Sequence, residues 1–241
     1  KNAMVIVGQG ALNRADGAAV LASAAKRAKQ QNATLNILHT EAAMVGALDL
    51  GLVPGEGGLD TAAMLKPGAL DVLYLLGVDE VDVPAGAFVI YQGSHGDRGA
   101  HRADVILPGA TYTEKSATYV NTEGRIQITN RAVFPPGDAR EDWSIIRALS
   151  EHVGQKLPVD SLGQLRVALY AAHPIFAAVD VIAPTDPVNL DALMALGGTA
   201  DRAPMKNASG DFYLTNVIAR ASAVMAECSA LAAGRLQQAA E

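Results

Sequence analysis

The stretch YTEKSATYVNTEGRIQ, residues 112–127, decides how this chain folds. Residues 118–120 are strand formers, residues 121–124 begin with Asn and end with Gly as turns do, and residues 125–129 alternate polar and apolar side chains. The pattern predicts a β-hairpin. Gly124 supplies the positive φ that a type I turn followed by a bulge requires, and the turn therefore fixes the register of the two strands.

This register predicts a polar row on one face of the hairpin, formed by Asn121, Arg125 and Gln127. Antiparallel ribbons commonly turn one face to the core and the other to water. The residues alone therefore indicate a surface hairpin whose polar face is solvated.

Three strings around the hairpin carry a family resemblance: residues 104–108 (DVILP), residues 114–118 (EKSAT) and residues 121–127 (NTEGRIQ). Together they resemble the signature of the molybdopterin oxidoreductase superfamily. With PPGDAREDW at residues 135–143, the sequence is most similar to the family of large iron-sulfur subunits of respiratory complex I, the NADH-quinone oxidoreductase. The resemblance implies that the fold is kept as a relic and that the hairpin positions are relics of pterin binding.

Composition restricts the classes of protein that fit. The 241 residues are 50% hydrophobic and 18% charged, which is typical of a soluble globular domain. The net charge of −6 argues against a nucleic-acid surface, and the sequence has no run of 18 apolar residues to cross a membrane. Cys228 is the single cysteine, so the chain has no internal disulfide and no cysteine-ligated cluster of its own. Its abrupt start in a strand suggests a piece of a longer polypeptide.

The first residues predict a parallel crossover: a strand at residues 4–7, a helix at 16–31 with Asp16 as N-cap, and a strand at 35–38. Gly8 and Gly10 invite a dinucleotide-binding interpretation. The match is weak, because the third glycine of the motif falls at Asn13 and the only nearby acid, Glu41, is isolated.

Residues 44–58 contain five glycines and a proline and predict a long loop. The loop is interpreted as an inter-subunit contact, with a backbone contact to a cofactor as the alternative.

Further strands are predicted at residues 71–76, 88–91 and 103–107, and their spacing is that of a doubly wound, mostly parallel Rossmann-like sheet. The polar loop between the last two contains the candidate chemical cluster His95, Asp97, Arg98 and His101. His95 with Asp97 would be a base and its orienting group, and His95 with His101 a partial metal site. We favour turn-stabilising hydrogen bonds for all four.

The strands end near residue 137, which predicts an α/β domain over residues 1–137 and a helical carboxyl-terminal region over residues 138–241. Helices are predicted from a capping box of Asp138 and Glu141 to Gly154, from Ser161 to His173, from Asp186-Pro187 to Gly197, and from Val217 to Ala233. Residues 200–209 are predicted to form a loop.

The resemblance implies a structural, non-redox portion of the complex I subunit, which supports electron transfer from NADH to quinone in the respiratory chain. The enzyme is then the multi-subunit NADH dehydrogenase, a membrane-associated oxidoreductase, and the segment alone is non-catalytic. We assign it no catalytic, cofactor-binding or metal-binding residue. No cofactor is expected in this segment, whereas iron-sulfur clusters are expected in an amino-terminal region of the parent subunit that this chain lacks.

The expected partners are other subunits of the peripheral arm and the rest of the same chain, with no nucleic acid and no direct membrane insertion. The expected location is the cytoplasmic side of the inner membrane in a bacterium, or the matrix side in a mitochondrion. The main alternative is a fragment of an active molybdopterin oxidoreductase such as a formate dehydrogenase. A further alternative, a free-standing nucleotide-binding domain, depends on Gly8 and Gly10 alone.

Overall fold

The structure, a computed structural model, describes residues 3–182, 188–207 and 209–240, with side chains to residue 234. The described strands are β1 (Met4–Gly8), β2 (Thr34–Leu38), β3 (Val72–Leu76), β4 (Phe88–Gly93), β5 (Val105–Pro108), β6 (Thr118–Val120) and β7 (Ile126–Ile128). The described helices are α1 (Gln9–Leu12), α2 (Gly17–Gln31), α3 (Met44–Asp49), α4 (Thr61–Met64), α5 (Arg98–Arg102), α6 (Asp142–His152), α7 (Leu162–Ala172), α8 (Leu190–Ala195), α9 (Val217–Arg220) and α10 (Ala223–Ala240). A 3-10 helix covers Pro174–Ala177.

The chain folds into two compact units. The first unit comprises Lys1–Leu52, Thr118–Ile128 and His173–Ala208, and the second comprises Val53–Ala117, Thr129–Ala172 and Ser209–Glu241. These two units are defined by compactness and not by the type of secondary structure. The predicted boundary after residue 137, between an α/β domain and a helical region, therefore stays a prediction.

In the first unit, β1 and β2 pair in parallel and are joined through α2, which confirms the predicted crossover. The helix buries small side chains, including Ala25 and Ala28. Asp16 is the N-cap residue, as predicted, but its carboxylate makes no bond to the helix and accepts one from Arg14 Nε at 2.7 Å instead. That bond, with a second one from the Asp201 N–H, lowers the pKa of Asp16 to about 2.

In the second unit, β3, β4 and β5 form a parallel sheet in sequence order. Its core consists of Leu73, Leu75, Val89 and Tyr91, which alternate along two neighbouring strands as residues on one sheet face do. The α/β class with parallel strands is confirmed. Within the described residues the parallel strands are divided between this sheet and the β1–β2 pair.

The hairpin is confirmed, with β6 antiparallel to β7 and Val120 opposite Ile126. Both side chains are buried. Asn121 Oδ1 accepts bonds from the backbone N–H groups of Glu123 and Arg125 at 2.9 and 3.0 Å, and Gly124 has a φ of +81°. Turn chemistry read from the sequence therefore fixes the local structure.

Part of the predicted loop at residues 44–58 is helical, because Met44–Asp49 form α3. This helix packs on β6, and a Cβ at Gly46 would lie only 3.3 Å from Val120 Cγ2. Glycine disfavours a helix in isolation, but here it allows close packing against the hairpin. Tertiary packing decides this element.

The predicted capping box at Asp138 is wrong, since α6 begins at Asp142. Asp138 lies in a turn, and the backbone of Arg140 bonds to Pro108 O and Ala110 N at 3.0 and 2.8 Å. These bonds hold residue 140 in a bridge beside the end of β5, so a helix cannot start before it. The Glu141 carboxylate accepts a bond from Trp143 Nε1 at 2.9 Å and does not cap the helix.

After α6, three helices are predicted and four α-helices are described, α7 to α10, and not all the ends agree. Ser161 Oγ accepts a bond from Gln164 N at the start of α7, as predicted. Asn189, whose side chain accepts from Ala192 N at 3.0 Å, caps α8, while the predicted start at Asp186-Pro187 lies outside the described residues.

The predicted final helix is divided into α9 and α10, and Ser222 Oγ accepts a bond from Met225 N at the beginning of the second. The described residues of the 200–209 segment form no helix or strand, as predicted. Among the described residues, none of the helices has the length and hydropathy needed to cross a membrane.

Replacing Gly124 with Val is expected to lower the free energy of unfolding by at least about 1 to 2 kcal/mol, because a β-branched residue is strained at positive φ. A Cβ there would have open space, so a loss would report strain and not a clash. Urea denaturation of Gly124→Val measures it. The matched control is Gly8→Val, since Gly8 has open space and an extended backbone with φ −73°; equal losses in both variants would contradict the strain argument.

Candidate functional site

The candidate site at the carboxyl edge of β3 centres on Asp79, whose side chain is fully buried. Asp79 Oδ1 accepts bonds from the N–H groups of Gly99 and Ala100 at 3.0 and 3.2 Å. Asp79 Oδ2 accepts a bond from Asp97 N at 2.9 Å. A carboxylate in this position holds the β4–α5 loop and the first turn of α5 against the sheet, because it satisfies three backbone donors at once.

Arg220 in α9 completes this network. Its Nη2 atom lies 3.4 Å from Asp79 Oδ2 and 2.9 Å from Glu80 Oε1, and its Nε atom donates to Asp97 Oδ2 at 2.7 Å. One guanidinium thus joins three carboxylates and attaches α9 to the edge of the sheet. We call these four side chains the Asp79–Arg220 network.

The network sets the electrostatics of its neighbours. Hydrogen bonding within the network, with the Asp79 side chain, the Arg98 N–H and Arg220, lowers the pKa of Asp97. Burial raises the pKa of Tyr91 to about 12, and the negative charges of Asp79 and Glu80 add to that shift. Because the Tyr91 hydroxyl donates to the His95 carbonyl oxygen, it stays protonated and structural.

The predicted cluster of His95, Asp97, Arg98 and His101 is therefore only partly brought together. His95 Nδ1 lies 3.1 Å from Ser94 Oγ, Asp97 bonds to Arg220 and to the Arg98 backbone, and the Arg98 guanidinium pairs with Asp82. His101 lies in the last turn of α5. In the part of the chain that the structure describes, no group of three His, Cys, Asp or Glu residues has the arrangement of a metal site.

A second network involves the signature Lys115. Its ammonium pairs with Asp142 Oδ2, and Asp142 Oδ1 accepts a bond from Gln92 Nε2 at 2.9 Å. Gln92 is fully buried at the end of β4 and accepts a bond from the Tyr74 hydroxyl. Burial raises the pKa of Tyr74, and the charge of Asp142 adds to it. Gln92 thus joins the first turn of α6 to the sheet, and Lys115 pairs with the same carboxylate of Asp142.

Three other side chains of the signature bond to backbone groups. Glu114 Oε2 accepts from Thr111 N at 3.0 Å, and Asp104 Oδ2 accepts from Val89 N at 2.8 Å. Arg125 Nη1 donates to the Asp180 carbonyl at 2.7 Å. The described contacts of the signature stabilise turns and strand ends.

A cavity of about 440 Å³ lies beside the hairpin in the first unit, where residues that follow β2 meet the two hairpin strands. His39, Glu41, Tyr119, Asn121 and Gln127 are among its lining residues. This hairpin cavity has the expected position for a ligand of a parallel sheet, at the carboxyl ends of the strands. His39 Nδ1 is buried there without a hydrogen-bond partner among the described residues.

The Gly8–Gly10 turn has a structural role. Gly8 ends β1, Gly10 lies in the four-residue α1, and Gln9 Oε1 accepts a bond from Thr40 N at 3.1 Å. The Gln9 side chain, between the two glycines, therefore joins the residues just after β1 to Thr40, just after β2.

The family described as "Molybdopterin oxidoreductase" matches residues 1–152, and the chain belongs to it. Residues 181–228 match a second family, described as the carboxyl-terminal region of the NADH-ubiquinone oxidoreductase G subunit.

Three relatives are similar to nearly the whole chain. It is 40% identical over 245 aligned residues to the mitochondrial NADH-ubiquinone oxidoreductase 78 kDa subunit of Neurospora crassa. The alignment covers 95% of this chain and 32% of that relative. The same subunit of Candida albicans is 43% identical, with 95% and 33% covered. The NADH dehydrogenase [ubiquinone] iron-sulfur protein 1, mitochondrial, of Solanum tuberosum is 43% identical, with 96% and 31% covered. The chain thus spans about a third of the length of these relatives, and the predicted resemblance is confirmed.

The pterin cofactor of the family carries a phosphate, which requires cationic side chains or a cradle of backbone N–H groups. Among the described residues, the ionisable side chains lining the hairpin cavity are His39, Glu41 and the phenol of Tyr119, with no Lys or Arg. Glu41 would repel a phosphate. The residues of this cavity therefore do not fit the family's cofactor.

Sequence reasoning missed the two networks. Asp79 and Gln92 each follow an apolar strand, which is a signal for a buried polar residue, but nothing local identifies Arg220 or Asp142 as the partner.

Replacing Asp79 with Ala is expected to lower the free energy of unfolding by at least about 3 kcal/mol, since it leaves buried backbone donors without acceptors and removes a charge partner of Arg220. Chemical denaturation followed by circular dichroism measures the loss. Asp82→Ala is the matched control, because Asp82 is 89% exposed and pairs with Arg98 at the surface. Its stability should change by less than about 0.5 kcal/mol. Similar losses in both variants would show that Asp79 does not organise this edge.

Proposed function

We propose that the chain is a carboxyl-terminal portion of the large iron-sulfur subunit of an NADH-quinone oxidoreductase and that it acts as a scaffold. In this role it supports the transfer of electrons from NADH to quinone by the assembled enzyme. The segment itself has no catalytic, cofactor-binding or metal-binding residue.

The similarity of nearly the whole chain to subunits named for NADH-ubiquinone oxidoreductase carries this proposal. The match of residues 181–228 to a carboxyl-terminal family of the same oxidoreductase supports the position within the parent. The same two findings favour this function over a fragment of a formate dehydrogenase, which was the main alternative.

The side-chain bonds of the signature support a scaffold. Lys115, Glu114 and Asn121 are each bonded to groups that fix a turn, a strand end or a helix start. The iron-sulfur clusters of the parent are assigned to its amino-terminal part, since Cys228 is the single cysteine of this sequence.

The proposed partners are other subunits of the peripheral arm and the remainder of the parent polypeptide. The proposed location is the cytoplasmic side of the inner membrane of a bacterium, or the matrix side in a mitochondrion. The proposed boundary between the α/β domain and the helical region lies after residue 137.

The purified 241-residue chain is expected to contain no iron, molybdenum or flavin and to oxidise no NADH. The reasons are its single cysteine and a hairpin cavity whose described lining has no Lys or Arg. Elemental analysis, pterin fluorescence and an NADH oxidation assay check this. Stoichiometric molybdenum with pterin would instead favour the active molybdopterin enzyme.

Asn121→Ala and Arg125→Ala in the full-length parent are expected to leave NADH-to-quinone turnover unchanged when it is normalised to the amount of assembled complex. Asn121→Ala should lower the free energy of unfolding by about 1 kcal/mol, because it removes the side-chain bonds that start the turn. The scaffold function of the hairpin would be contradicted if the complex assembled normally but its turnover dropped about tenfold, which corresponds to an activation barrier raised by about 1.4 kcal/mol.

A further inference from the structure

A second cavity, of about 780 Å³, lies in the second compact unit between the segment that follows the hairpin and the helices α6 and α7. Arg131, Phe134, Arg140, Trp143 and Leu162 are among its lining residues. We call it the arginine cavity. Its size lies within the range of protein pockets that hold a ligand or a side chain of a partner, and neither of the networks described above includes these five residues.

The rim of the arginine cavity, formed by residues 131–134, is held in a fixed position. The N–H groups of Ala132 and Val133 donate to the Thr113 carbonyl at 2.9 and 3.2 Å, and Arg131 N donates to Ser116 Oγ at 3.2 Å. A rim that is ordered by its own bonds loses little conformational entropy when a partner binds.

The rim presents apolar side chains to water. Phe134 is 78% exposed and Val133 is 54% exposed. The Arg131 guanidinium lies over the Phe134 ring, 4.3 Å from its centroid, so a cation–π contact holds the ring in place. An exposed aromatic ring beside Arg and Trp has the composition of a protein–protein contact centre, where these residue types are enriched.

The arginine cavity is lined by two arginines, Arg131 and Arg140, and one carboxylate, Glu141, so its described lining has a net positive charge although the whole chain has a net charge of −6. Arg140 donates to the carbonyls of Gly137 and Ala139 and has no carboxylate partner among the described residues. The carboxylate contact of Arg131 is a long one, 3.7 Å to Glu141.

We propose that the arginine cavity docks an acidic segment of a partner protein, another subunit of the same complex. An apolar side chain of that segment packs against Phe134 and Trp143, and flanking carboxylates pair with Arg131 and Arg140. The inference rests on the proposed function, because it takes the partner from the complex. A nucleic acid fits less well, since the acidic chain repels a polyanion while two arginines suffice for single carboxylates.

The test places a photoreactive residue in the cavity rim. Phe134→p-benzoylphenylalanine is introduced into the full-length parent, the assembled complex is purified and irradiated, and the crosslinked peptide is identified by mass spectrometry. We expect a crosslink to another subunit at a position flanked by Asp and Glu. Adding Arg131→Glu and Arg140→Glu should lower the crosslink yield per assembled complex about tenfold or more, because it replaces attraction by repulsion.

Two controls match these changes. Arg98→Glu reverses an exposed arginine outside the cavity and should leave the yield unchanged, and the same photoreactive residue at Phe212, an exposed ring outside the cavity, should give a different crosslink. A crosslink flanked by neutral or basic residues, confined to the parent polypeptide or to lipid, or insensitive to the charge reversal would overturn the docking site. If one of these results is found in a complex that contains the subunit and oxidises NADH, the docking site is wrong but the proposed function stands. If the active complex lacks the subunit, both the docking site and the proposed function are wrong.

Discussion

The buried carboxylate of Asp79 is the constraint on which the second unit depends. A charge with no exposure to water is tolerated only when hydrogen bonds and an opposite charge replace its hydration, and three backbone N–H groups and Arg220 do so here. These groups come from the β4–α5 loop, the first turn of α5 and α9. The requirement to satisfy one side chain therefore fixes the β4–α5 loop and α9 on the same sheet edge.

The same principle operates at the end of β4. Gln92 is buried, and its amide is satisfied by Tyr74 and by Asp142, which Lys115 neutralises. Ligands of open parallel α/β sheets bind at the carboxyl ends of the strands. Gln92 and Asp79 stand at that edge of the β3–β5 sheet, and bonds within the protein satisfy both side chains.

Family membership and chemistry are thus separate questions for this molecule. Three side chains of the signature DVILP, EKSAT and NTEGRIQ make bonds within the fold: Asp104 holds β4, Glu114 closes a turn and Asn121 forms the hairpin turn. A fold can be shared by proteins with different functions. The described lining of the hairpin cavity, with Glu41 and no Lys or Arg, illustrates the difference.

Elements with a local cause could be predicted from the residues alone. The hairpin with Gly124 at positive φ, the α2 crossover and the start of α7 at Ser161 follow from turn residues, apolar periodicity and capping within a few positions. The remaining features depend on contacts between distant segments. Gly46 lies in a helix because that helix packs on Val120, residue 140 stays extended because it pairs beside β5, and Asp79 meets Arg220 across a separation of 141 residues. Such contacts depend on which surfaces meet after folding, and a local pattern contains no record of the distant partner.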